Sequence, residues 1–164
     1  MTRSTPLRFA LALLAATLCG LAASPAHADR SLQFATELPA NPVGTRTIVI
    51  ERRAGTGREA EAEQFVVIDY EGYIYDPAAP DRKGMKFDSS RERGQPLSVL
   101  LGVGRMVAGL DKGIQGMKVG GTRTLVIPSG MGYGSRTAFG EVPPNSTLLF
   151  EVELLDVVPQ ENVR

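Results

Sequence analysis

The segment FVVIDYEGYIY, from Phe65, limits the possible folds more than any other stretch. It is rich in β-branched and aromatic residues, which suit a pleated, half-buried surface. Its alternation puts Val66, Ile68 and Tyr70 on one face, with Asp69 and Glu71 near a polar end. Four further stretches read the same way. TIVIE, from Thr47, is a first strand. PLSVLLG alternates Leu97, Val99 and Leu101. TRTLVIP, from Thr122, sets Leu125 and Ile127 together. TLLFEVELLDVV closes the pattern, with Phe150, Val152 and Leu154 opposite Glu151 and Glu153. Eighteen Gly and eleven Pro fit a chain of many turns, short strands and little helix.

One helix is expected, in RMVAGLDKGIQGMKVGG. There Val107, Leu110, Ile114 and Met117 follow the spacing of a single helical face. Gly109, Gly113 and Gly116 weaken it, each by about 1 kcal/mol relative to Ala, so packing must hold it. DPAAPDRKG is a loop by its Pro, Asp and Gly content. SGMGYGSRTAFGEVPPN is a longer loop carrying Met131, Tyr133 and Phe139, and loops of that length are often functional. Four or five strands and one short helix make an α+β domain over residues 47–158. An extended arm or linker over 29–46, with Pro39 and Pro42, precedes it, and a tail over 159–164 follows.

Residues 1–28 differ in character. MTRSTPLR is basic, FALALLAATLCGLAA is apolar, and Ala26-His27-Ala28 is a small-x-small cleavage pattern. The expectation is a signal peptide cut after Ala28. The apolar run is shorter than the roughly 20 residues of a membrane span. Cleavage would remove the only Cys, Cys19, and the only His, His27. Arg3 and Arg8 would leave too, so 16 of the 18 basic residues would face 18 acidic ones, a net charge of −2. Such a chain has no Ser/His or Cys/His catalysis, no zinc site built on His or Cys, and no disulfide. Its neutral to slightly acidic balance gives no support to a nucleic-acid surface. Any chemistry must rest on carboxylates, hydroxyls, Arg, Lys and shape.

In KFDSSRERGQP, Lys86 to Pro96, Phe87 stands beside Asp88. The pair is either a core residue with a turn cap or two walls of a site. Asp69, Glu71, Asp88 and Glu92 offer carboxylates, yet no spacing sets two of them across a cleft, and solvated surface charge is the plainer reading. GVGRMVAG and GMGYG match no phosphate-binding loop and read as turn glycines. Tyr70, Phe87, Val107, Leu110, Tyr133 and Phe150 fall at ends or inner faces of expected elements. Each alone reads as core; together they form a candidate apolar pocket.

As a set, the blocks VVIDYEGYI, GMKFDSSRERGQPLSVLLG, VAGLDKGIQGMKVGGTRTLVIP, GYG and VPPNSTLLFEVELLDV resemble the FKBP-type peptidyl-prolyl cis/trans isomerases. The resemblance covers nearly the whole domain, 47–158. It implies an antiparallel five-stranded sheet curled around one short helix. It also implies catalytic roles for Tyr70, Phe87, Asp88, Tyr133 and Phe150. Arg93, Leu97, Val99, Met106, Val107, Leu110, Phe139 and Val142 are implied as substrate-binding. Asp88 would orient its neighbours by accepting from Tyr70 or pairing with Arg93, and the backbone at Met106 and Val107 would meet the ligand. Three departures stand out: Leu110 where the best-known members have Trp, a longer DPAAPDRKG loop, and Ala138, Phe139 and Glu141 in the long loop.

The implied activity is rotation about Xaa-Pro bonds in folding exported proteins, in a bacterial periplasm or outside the cell. The alternative is a non-catalytic binding module or chaperone on the same fold. The expected partners are proline-containing polypeptides and macrolides such as rapamycin. No cofactor, metal, nucleic acid or membrane contact after cleavage is expected, and the chain is expected to be a monomer.

Overall fold

The computed structural model describes residues 32–40 and 44–158. The expected signal segment and the expected tail lie outside the described residues, as do parts of the expected arm. The elements are β1 (Leu32–Phe34), β2 (Thr47–Arg53), β3 (Phe65–Tyr75), β4 (Lys83–Ser89), β5 (Leu97–Leu100), α1 (Ala108–Ile114), β6 (Thr122–Ile127) and β7 (Leu148–Val158).

One sheet holds all seven strands in the order β1-β2-β6-β7-β3-β4, and β5 pairs with β3 beside β4. Every pairing is antiparallel except β1 with β2. The two long alternating segments, β3 and β7, form the centre, with Ile68 opposite Leu154 and Gly72 opposite Phe150. Their inward residues Val66, Ile68, Tyr70, Phe150, Val152 and Leu154 join Leu125 and Ile127 of β6 in the main core.

The sheet has two strands more than the five expected. β4 escapes the alternation rule because it lies at a sheet edge, where Lys83 and Lys86 pair with Glu151 and Glu71 over the outer face. β1 is only three residues long. It places the arm against the sheet instead of leaving it a linker. Beyond it, Leu38 packs with Ile48 on a second cluster of Tyr73, Tyr75, Val126 and Leu149, and the Tyr75 hydroxyl donates to the Pro39 carbonyl. The arm thus covers apolar surface on the outer side of the sheet.

The helix is shorter than its apolar spacing suggests. Val107 is its N-cap, and the chain leaves it at Gln115, so Met117 packs from beyond the helix. Gly116, at φ +75°, turns the chain away. Gly109 and Gly113 act through size. A methyl group at Gly109 would lie 2.4 Å from the Ile127 side chain, and one at Gly113 would lie 2.6 Å from Leu125. Their low helix propensity is the counterpart of a close approach between α1 and β6.

Arg123 completes that contact. It is buried on the inner face of β6, in line with Leu125 and Ile127. Its Nη1 donates to the carbonyls of Gly113 and Gln115, both at 2.9 Å, and its Nη2 donates to that of Gly116 at 3.3 Å. Nε donates to Glu51 at 2.8 Å. The last carbonyls of a helix lack partners within it, and here a strand supplies them.

Candidate active site

The inner face of the sheet and one long loop bring five rings together. Tyr70 comes from β3, Phe87 from β4 and Phe150 from β7, while Tyr133 and Phe139 come from the long loop before β7. Phe87 is the hub. Its ring centroid lies 5.7 Å from Phe150 and 6.2 Å from Tyr133, both edge-on, and 5.6 Å from Phe139. Tyr70 lies 6.0 Å from Phe150. Tilted and edge-on pairs at these separations suit the aromatic quadrupole, and each contributes about 0.5–1.5 kcal/mol. Gly72 makes the arrangement possible. A methyl there would come 2.8 Å from Phe87 and 3.0 Å from Phe150.

The polar side is built on Asp88. The Tyr70 hydroxyl donates to one carboxylate oxygen at 2.5 Å, and Arg93 pairs with the other. Arg93 also donates to the Tyr70 hydroxyl oxygen at 2.9 Å and stands over the Tyr70 ring. Ser90, fully buried, fixes the backbone behind this triad. It accepts from the Tyr70 N–H at 2.9 Å and donates to Asp69 at 2.7 Å. With its lone pairs so committed, Asp88 is held as an acceptor for its neighbours. Burial, then the hydrogen bond to Asp88, raises the Tyr70 hydroxyl above its ordinary pKa. The bond to Tyr70 raises Arg93 still further above neutrality.

Tyr133 differs from Tyr70. Burial first, then the charge of Asp88, pushes its hydroxyl up to about 12, so it keeps its proton throughout the physiological range. Among the described residues neither this hydroxyl nor the Val107 N–H has a hydrogen-bond partner. Their two residues border an open depression of about 430 Å³, lined by Met106, Val107, Ala108, Gly132 and Tyr133 with Arg105 and Arg136. Phe139 stands at a tight loop tip. Its φ is +52° and that of Gly140 is +73°, and the Glu141 N–H returns to the Ala138 carbonyl at 3.2 Å. Left-handed backbone costs a residue with a side chain about 1–2 kcal/mol. Here it leaves the ring 58% exposed while still against Phe87 and Tyr133.

The remaining expected residues divide into two groups. Met106, Val107 and Leu97 are half-buried on the edge of the core. Leu110, Val99 and Val142 lie within it, Val142 with no exposed surface, and back the site instead of presenting a face to solvent. Reasoning from sequence missed Gly72, Ser90, Arg105 and Arg136. Among the described residues no group of three His, Cys, Asp or Glu side chains gathers as a metal site. No described helix is long and apolar enough to cross a membrane.

A family model described as FKBP-type peptidyl-prolyl cis-trans isomerase matches residues 56–155. The chain belongs to this family of isomerases. A curated FK506-binding protein of Neisseria meningitidis serogroup A is 47% identical over 110 residues, covering 67% of this chain and 94% of that protein. FK506-binding protein 1 of Aspergillus oryzae is 42% identical over 118 residues, covering 70% of this chain and 99% of its own. Among solved structures, FkpA from Escherichia coli superposes with a TM-score of 0.60 at 33% identity. That match covers 80% of this chain and 53% of FkpA.

An isomerase of this type requires no nucleophile and no proton shuttle. Rotating a peptide bond means giving up amide resonance, a barrier of about 18–20 kcal/mol. For Xaa-Pro the two isomers are close in energy and exchange slowly.

Proposed function

We propose that this isomerase is exported and accelerates Xaa-Pro rotation in polypeptides folding in the periplasm or outside the cell, through a dry apolar pocket. The observation that carries the pocket reading is the pair of unpartnered donors, the Tyr133 hydroxyl and the Val107 N–H, beside the ring cluster around Phe87. In this reading the prolyl ring sits among Tyr70, Phe87, Phe150 and Val107, with Leu110 as floor. The two donors take the carbonyls that flank it. A twisted amide has less charge separation than a planar one, so an apolar enclosure favours it. Asp88 and Arg93 hold Tyr70 in place and pass no proton.

Tyr133→Phe tests the site. Losing one neutral donor corresponds to about 1 kcal/mol, or roughly fivefold. In a protease-coupled assay on a short Xaa-Pro peptide, kcat/KM should fall about three- to tenfold. Wild-type rates in the variant would remove Tyr133 from the mechanism.

Export rests on the basic-apolar-small pattern of residues 1–28. In a bacterial host the full chain should fractionate with periplasmic or secreted protein and begin at Asp29. Full-length protein retained in the cytoplasm would refute it. Proline-containing client chains and macrolides such as rapamycin are the ligands we propose, with FK506 added on the names of the relatives. Leu110 gives the floor a smaller side chain than Trp, which favours weaker macrolide binding. We take the isomerase to act as a monomer.

A further inference from the structure

Several cations on this domain are neutralised. Arg53 and Arg91 share Glu153, Lys83 meets Glu151, Lys86 meets Glu71, and Arg93 meets Asp88. Arg105 and Arg136 are not among them. Both are exposed, and among the described residues neither side chain makes an ion pair or hydrogen bond. They come from different loops, yet both line the depression of about 430 Å³ that Met106, Val107 and Tyr133 also border. No carboxylate lines that depression. Asp88 is already engaged by Arg93 and Tyr70, and Glu141 sits at the tip of the long loop, outside the lining.

Two like charges beside one concavity raise the local potential and favour an anion there. The depression starts at the groups assigned above to the carbonyls flanking the prolyl ring. An extended client advances about 3.3 Å per residue, so the side chains within two residues of the proline fall on this wall. We propose that Arg105 and Arg136 form a cationic rim that selects client segments carrying an Asp or Glu within two residues of the proline. This rests on the pocket reading above. The guanidinium fork suits a carboxylate, which it can meet with two parallel hydrogen bonds.

The test uses the mature chain and peptides of one framework, with Glu or its neutral isostere Gln placed before the proline or at either of the two positions after it. A leucine-proline peptide runs alongside. Acceleration of the leucine peptide reports the isomerase site by itself; none at all would sink the pocket reading. The rim predicts a Glu-to-Gln ratio of kcat/KM of about three to ten at one of the positions, the range of one or two solvent-screened ion pairs. The ratio should shrink toward one in about 1 M salt, where the Debye length is about 3 Å. It should also shrink toward one in the Arg105→Gln, Arg136→Gln double variant, and stay well above one in the corresponding double Lys variant. A leucine peptide that is accelerated with no Glu preference at any position overturns the rim alone. So does a preference that survives in the double Gln variant.

Discussion

Arg123→Leu should lower the unfolding free energy by about 2–4 kcal/mol, the cost of leaving one buried and two half-buried acceptors and the Glu51 carboxylate without their donor. The side chain is only 6% exposed, and three carbonyls at the end of α1 depend on it. Leucine fits the apolar row of Leu125 and Ile127 but caps none of them. Glu51 is better placed to recover, since its side chain is 38% exposed and can rehydrate. Urea titration followed by circular dichroism should show an earlier midpoint with an unchanged slope. Arg123→Lys should restore only part of the loss, because one ammonium cannot reproduce the planar fork that serves Gly113, Gln115 and Gly116 together. A loss under about 1 kcal/mol for the leucine variant would mean that the helix end is satisfied in some other way.

The larger effect on activity is expected from Phe87→Ala. The alanine removes the ring that joins Phe150, Tyr133 and Phe139, three contacts at 5.6 to 6.2 Å. The site would lose a wall and admit water, and Tyr133 would lose the neighbour that sets its edge. We expect kcat/KM to fall about a hundredfold, or roughly 2.7 kcal/mol of transition-state stabilisation. Phe87 is half-buried, so the fold should persist with a lower midpoint. Phe87→Leu should recover part of the rate by refilling volume without the aromatic edge. A folded alanine variant within threefold of wild type would take Phe87 out of the site.

Alternation made the centre of the sheet legible. β3 and β7 bury the residues that their period of two selects, and the same holds for Leu125 and Ile127 in β6. β4 was not legible, because an edge strand written KGMKFDS has too few apolar positions to alternate. The three glycines of the helix segment were weighed by propensity alone. Gly109 and Gly113 have a spatial meaning, the close approach of β6, and Gly116 a conformational one, its positive φ. Arg123 had a signal that could have found it. The alternation that places Leu125 and Ile127 inward places Arg123 inward too, and a charge on the core face demands partners. The ring residues Tyr70, Phe87, Tyr133 and Phe150 were found as a set by their blocks, though single positions read equally well as core. Arg105 and Arg136 left no trace in the sequence, because only the fold brings two loops to one depression.

The central pairing of β3 with β7 also sets the order of events when the chain is made. Ile74 meets Leu148 and Phe65 meets Val158, so the strand formed early waits for almost the last residues of the domain. A polypeptide emerging from its N-terminal end cannot close this sheet part-way. Until β7 arrives, β3 is paired with β4 and β5 along one edge only, and its other edge stays open to mispairing. Closing such a distant contact demands loop entropy in advance of any reward, which places the domain among slower folders. An isomerase of proline bonds is therefore itself a late-folding protein, competent only once β7 is free to pair.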